Sequence, residues 1–140
     1  MQKIIIIAEI GINHNGSVSL AKKMIKAAKK CGADVVKFQN AYMEDLFQIK
    51  SKAYKISKKF ELNYNDFKII KKYCDKLNIE FMSTPYDLRS VDLLESLGVK
   101  RYKVASADVV DMPLHKKLIS TKKPVILSVG MADIKEIKKT

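Results

Sequence analysis

The residues best suited to chemistry stand at the ends of apolar runs. Glu9 follows the run Lys3–Ala8, and Lys37 and Gln39 close Asp34–Phe38. Ser83 and Thr84 end Ile79–Ser83, Lys103, Ser106 and Asp108 surround the end of Arg101–Ala105, and Ser128 ends Val125–Ser128. Lysine ammonium groups and hydroxyls that converge can hold a phosphate or a carboxylate through charge-assisted hydrogen bonds. Glu9 and Asp108 are suited to meet a cation, a sugar hydroxyl or a proton. A single lysine at such a place is ordinarily solvated, and a single Ser or Thr often caps the next helix. Recurrence of the pattern at every successive run is what singles these positions out. Lys37 and Gln39, two apart, share one face of a strand. Lys103 and Ser106, at odd spacing, would face opposite ways on a straight strand, so they converge only where the chain bends near Ala105.

Positioning these residues requires the apolar runs to be strands, and the segments between them read as helices. Leu20, Met24, Ala27, Ala28 and Cys31 recur at helical spacing, with Ser17 or Ser19 as N-cap and Gly32 just past the C-terminus. A second helix, about 65 to 77, carries Phe67, Ile70, Cys74 and Leu77 on one face. Asp87 caps a third with Val91, Leu94 and Leu97, ended by Gly98. Pro113 sits in the first turn of a fourth, and Asp133 starts a last one. The polar stretch 40–59 is long for a connection, which favours a functional loop. Strands alternating with helices predict an α/β fold with parallel pairing. An open doubly wound sheet and the first five strands of an eight-stranded barrel both fit, and length alone favours the open sheet.

Composition narrows the partners. The formal charge is +12, but Arg89 and Arg101 are the only arginines, and the lysines are spread over several helices. That distribution reads as solvated helix faces rather than as a nucleic-acid surface, although the field would draw in anions. Cys31 and Cys74 fall at apolar helical positions without CxxC spacing and read as buried free thiols. His14 and His115 do not make a metal site by themselves, and His14 reads as a structural member of the turn Gly11–Gly16. No apolar stretch approaches a membrane span or a signal-peptide core, so a cytoplasmic protein without a membrane partner is expected.

Five ordered segments carry a family resemblance. They are Ala8-Glu-Ile-Gly-Ile-Asn-His-Asn-Gly16, Gly32-Ala-Asp-Val-Val-Lys-Phe-Gln39, Ser83-Thr-Pro-Tyr-Asp87, Tyr102-Lys-Val-Ala-Ser-Ala-Asp108 and Pro124-Val-Ile-Leu-Ser-Val-Gly-Met131. Together they resemble the N-terminal part of the sialic acid synthase family, which includes N-acetylneuraminate, legionaminate and pseudaminate synthases and spore-coat polysaccharide relatives. The resemblance implies a partial TIM (β/α)₈ barrel, its first five parallel strands with intervening helices. Residues 1–140 would then be one incomplete barrel domain, without the later strands and a C-terminal antifreeze-like domain.

The implied reaction joins phosphoenolpyruvate to an N-acyl hexosamine such as N-acetylmannosamine, giving a nine-carbon 2-keto sugar acid. A divalent metal, Mn²⁺ or Mg²⁺, is implied as Lewis acid, with ligands on later strands and none in this chain. By the same similarity, Lys37, Thr84, Lys103, Ser106 and Ser128 match the phosphoenolpyruvate cradle. Gln39, Tyr86 and Asp108 match the sugar side, and Glu9 an acidic residue of the catalytic group with Lys37 and Gln39. The family pattern Gly-Ser-Gly-Glu is here Ala105-Ser-Ala-Asp108, with a shorter acid, and Val129 replaces a common threonine. The family is homodimeric, so a fragment of it is expected to be inactive alone and to need a complementing chain or to self-associate. The competing expectation is a non-catalytic, stand-alone α/β module binding an anionic glycan or polyanion.

Overall fold

The computed structural model describes residues 4–140, so Lys3, the start of the first predicted strand, lies outside it. Five strands run β1 Ile7–Gly11, β2 Val35–Asn40, β3 Glu80–Pro85, β4 Tyr102–Val104 and β5 Val125–Leu127. Helices α1 Val18–Lys30, α4 Tyr64–Lys76, α5 Leu88–Ser96 and α6 Met112–Ser120 alternate with them, and α7 Ile134–Lys139 follows β5. The stretch predicted as a loop contains α2 Met43–Leu46, α3 Lys52–Ser57 and a 3₁₀ turn at Lys58–Phe60.

Every ladder is parallel. β1, β2 and β3 pair in chain order, and β4 pairs with β5. β4 lies beside β3, where Arg101 Nε meets Glu80 Oε1 at 2.8 Å. Neighbours that follow chain order without reversal belong to a barrel, whereas a doubly wound sheet reverses its order at a switch point. The open sheet favoured by length is thus set aside, and the chain is a partial (β/α)₈ barrel.

Local chemistry sets the helix ends as the sequence suggests. Ser17, Asn63, Asp87, Asp111 and Asp133 each accept a backbone N–H in the first turn of the helix they precede. Gly32 and Gly98 take positive φ just past α1 and α5, the left-handed stop that a side chain disfavours. Within β2 the side chains alternate. Val36 and Phe38 face the helices, where Phe38, Phe67 and Phe81 form a ring cluster with centroids 5.6–6.5 Å apart. Lys37 and Gln39 face the other way, into the barrel side.

Two expectations are corrected. The first strand begins at Ile7 rather than Lys3, because β2 begins at Val35 and the register pairs Ile7 with Val35. Ile4 and Ile5 extend past that partner and are exposed, and Glu9 falls inside β1 rather than after it. Cys31 is exposed, not buried, because it is the C-cap of α1 and has turned off the buried face, whereas Cys74 is buried.

Candidate active site at the carboxyl ends of the strands

Register brings the first members together. Glu9 pairs with Lys37, and Gln39 with Thr84, so all four stand on the barrel face of adjacent strands. A bulge between Glu9 and Gly11 shifts the register, so that Gly11 pairs with Phe38. Lys37 Nζ meets Glu9 Oε2 at 2.8 Å, and the lysine side chain is 9 % exposed against 61 % for the glutamate. A buried ammonium whose partner is largely in water is poised to exchange that partner for an incoming anion.

Lys103 completes the cationic pair. Its Nζ donates to Ser128 Oγ across the β4–β5 ladder and to Val104 O at 2.6 Å. Burial, and then the repulsion of Lys37, hold its pKa below the usual lysine range, while Glu9 and Asp108 oppose this. These groups therefore share one electrostatic environment. An anion seated between the ammonium groups relieves their repulsion. The required bend is present: β4 stops at Val104, Ala105 is extended, and Ser106–Asp108 form a 3₁₀ turn. His115 sits beneath that turn with Nε2 donating to Asp108 O and Val109 O at 3.1 and 2.9 Å.

Gln39, Tyr86 and Asp108 form a second group. Gln39 Nε2 donates to Tyr86 Oη at 2.9 Å. Burial, helped by the charges of Asp108 and Glu9, raises the Tyr86 pKa and keeps the phenol protonated. Burial and the neighbouring Asp111 raise the Asp108 pKa above the usual carboxyl range, and its Oδ2 is buried without a hydrogen-bond partner. Thr84 is buried and Ser106 half-buried at their strand ends, without a direct bond to either lysine among the described contacts. His14 is buried against Phe38. Its Nδ1 accepts the Gly16 N–H at 3.1 Å, and burial lowers its pKa, so it is a neutral, structural member of its turn.

The segment after β2 walls this group. Tyr42 N–H donates to Asp87 Oδ2 at 2.8 Å and Met43 N–H to Glu61 Oε2 at 2.9 Å. Arg89 lies over the Tyr42 ring, 3.7 Å from its centroid, and pairs with Asp45. A chamber of about 550 Å³ opens between this wall and the strand ends. The wall residues were not singled out in the sequence. Leu46, Phe47, Ile56 and Phe60 lie scattered in a stretch that reads as polar, and neither helical nor strand period groups them. Asp87, legible as a helix cap and as the end of the third motif, also holds the wall.

No helix among the described residues is long and apolar enough to cross a membrane. Nor do the described residues include a group of three His, Cys, Asp or Glu side chains placed to hold a metal ion. The described residues on their own do not fit the implied divalent ion.

Comparison with known proteins adds to the geometry. The NeuB family profile matches residues 24–140. N,N'-diacetyllegionaminic acid synthase of Campylobacter jejuni is 41 % identical over 99 % of this chain and 46 % of its own length. Human N-acetylneuraminate-9-phosphate synthase is 33 % identical over 95 % of this chain and 41 % of its own. Among solved structures, N-acetylneuraminic acid (sialic acid) synthetase from Leptospira borgpetersenii, in complex with citrate, superposes with a TM-score of 0.94 at 34 % identity. It covers 99 % of this chain and 48 % of that one. The chain thus spans less than half the length of these relatives. A 3-deoxy-D-arabino-heptulosonate 7-phosphate synthase from Thermotoga maritima shares the fold at 12 % identity, TM-score 0.69.

Proposed function

The chain belongs to the NeuB family of sugar-acid synthases, and from that premise we propose that it carries the phosphoenolpyruvate half of a synthase site. The observation that carries this is the buried Lys37 beside the half-buried Lys103, whose ammonium it repels, set on one face with Glu9 and Ser128. Lys37 and Lys103 bind the phosphate and carboxylate of phosphoenolpyruvate, with the hydroxyls of Thr84, Ser106 and Ser128 completing the cradle. Gln39, Tyr86 and Asp108 face the acceptor, an N-acyl hexosamine in its open-chain form.

In the full reaction the methylene carbon of phosphoenolpyruvate forms a bond to the acceptor's aldehyde carbon. The aldehyde C=O pair moves to its oxygen, which takes a proton; water adds to the electron-poor former enol carbon and gives up its protons as the bond from that carbon to the phosphate oxygen breaks, leaving the 2-keto group and free phosphate. Lys37 and Lys103 stabilise the negative charge on the departing phosphate. The protonated Tyr86 phenol can donate to the acceptor, and Asp108 can accept from its amide or hydroxyl. Glu9, in contact with Lys37, returns to that lysine when the phosphate departs. No step here runs through a metal, since the described residues do not assemble a site for one. A cytoplasmic location belongs to the same proposal.

Isothermal titration of phosphoenolpyruvate into the 140-residue chain tests it. Saturable one-to-one binding that competes with inorganic phosphate is expected. A folded chain that binds neither overturns the reading.

A further inference from the structure

The turn that carries Ser106 and Asp108 is held by a residue that the proposed chemistry does not use. Helix α6 is seated in the core by Leu114 and Leu118, capped by Asp111, and tied to α5 by Lys117 and Asp92 at 2.6 Å. From this base the buried His115 reaches the segment between β4 and α6. Its Nε2 lies 3.1 Å from Asp108 O and 2.9 Å from Val109 O. A carbonyl oxygen only accepts, so Nε2 carries the proton and donates to both. Neither carbonyl depends on this bond. Asp108 O also receives the Asp111 N–H at 3.0 Å, and Val109 O the Thr140 hydroxyl at 2.8 Å. An apolar side chain in place of His115 would leave neither carbonyl orphaned, so folding does not require the imidazole. What the imidazole adds is a fixed link between a rigid helix and the turn.

We infer that His115 is a positioning residue, whose Nε2–H sets the turn Ser106–Asp108 so that the Ser106 hydroxyl and the Asp108 carboxyl stand at the strand ends. What Ser106 is positioned for rests on the phosphoenolpyruvate reading above. The β4–β5 ladder ends at Val104, two residues before Ser106, so the sheet does not itself place the hydroxyl. Within the turn the Asp108 N–H donates to Ala105 O at 3.0 Å. That local bond closes the turn without fixing its tilt against the sheet. His115 supplies the second point. A bond shared between two successive carbonyls fixes orientation as well as distance. The same imidazole acts on the Asp108 carboxyl: burial and Asp111 raise its pKa, and His115 and Lys103 oppose them.

Two variants of the 140-residue chain separate position from packing. His115→Leu keeps a buried apolar side chain and removes the donor, whereas His115→Gln offers an amide Nε2 at a similar reach. Hydrogen exchange at the Asp108 and Asp111 amides should be about tenfold faster in His115→Leu, the scale of one lost hydrogen bond, with the β2 amides unchanged. Phosphoenolpyruvate, followed by isothermal titration, should bind roughly five- to tenfold more weakly for the same reason. His115→Gln should return both readings to within about twofold of the parent. Ser106→Ala should weaken binding about as much as His115→Leu, and the double variant hardly more, because both changes act on one hydroxyl. Equal anion affinity in the parent and His115→Leu, no rescue by His115→Gln, additive losses in the double variant, or a His115→Leu chain that no longer folds would each overturn the assignment. A parent chain that binds no phosphoenolpyruvate counts against the synthase reading instead. Exchange at Asp108 and Asp111 then decides: an acceleration that His115→Gln reverses upholds the positioning, and any other result overturns it.

Discussion

Replacing Lys37 by Met separates binding from folding. The side chain is 9 % exposed and its partner Glu9 61 % exposed, at 2.8 Å. Methionine keeps the length and apolar volume of the lysine stem and removes the charge. Exchanging a buried ion for a well-packed apolar group is often neutral or stabilising, and Glu9 is free to hydrate. The expected change in unfolding free energy is therefore within about 1 kcal/mol. Anion binding should fall sharply. A hydrogen bond to a charged group is worth about 1.5–3 kcal/mol, which at 1.4 kcal/mol per decade weakens phosphoenolpyruvate roughly 10- to 150-fold.

The reciprocal change, Glu9→Gln, leaves the buried ammonium with a weaker partner. It should lower stability by about 1–2 kcal/mol, less than for a fully buried pair because water reaches Glu9. It should not weaken the anion, which competes with Glu9 for the same lysine. Urea unfolding and isothermal titration on both variants give the comparison. A folded Lys37→Met chain that binds phosphoenolpyruvate as tightly as the parent would refute the reasoning. So would a loss of more than about 3 kcal/mol of stability, which would mark Lys37 as a structural ion.

Other consequences are as direct. The Asp108 carboxyl has a raised pKa in the fold, so the folded state holds that proton more tightly than the unfolded chain. Its ionisation costs stability as pH rises from the unfolded pKa through the folded one. Asp108→Asn should therefore be more stable than the parent in urea at pH 7 and no different below the unfolded pKa; equal stability at both would contradict the cause given. Burial pushes the Cys74 thiol up to about 12 while Cys31 is exposed. A thiol reagent should label Cys31 alone in the native chain and both cysteines in urea, and fast native labelling of Cys74 would show the core is open there. Gly16 has φ +71°, and a Cβ there would lie 2.5 Å from the Lys59 carbonyl oxygen. Gly16→Ala should cost about 2–3 kcal/mol from the left-handed backbone and the clash, and should raise protease cutting near Lys59; a change below about 0.5 kcal/mol would show that the contact is not held.

How much of this could be read in advance follows from the range of the interactions. The helix caps Ser17, Asp87 and Asp133 and the stop at Gly32 are local, set by one side chain and the next few amides, and they stand where the sequence put them. The spacing of Lys37 and Gln39 likewise fixed a shared face. The five motifs were enough to find the family. The start of the first strand was misjudged because hydrophobicity says nothing about a partner, and β2 ends the pairing at Ile7. Cys31 was misplaced because a helix end turns off its own period.

What tertiary structure alone decided is the order of strands, the exchangeable Lys37–Glu9 pair, and the apolar chamber. Chain-order pairing makes a barrel rather than an open sheet, and no local pattern encodes which strand lies beside which. Leu46, Ile56 and Phe60 become a wall because Asp87 and Arg89, farther along the chain, and Glu61 at the segment's own end hold it over the strand ends. A side chain's type is written in the sequence, but its desolvation and its neighbours are set by contacts between distant segments, and those set the charge environment at the strand ends.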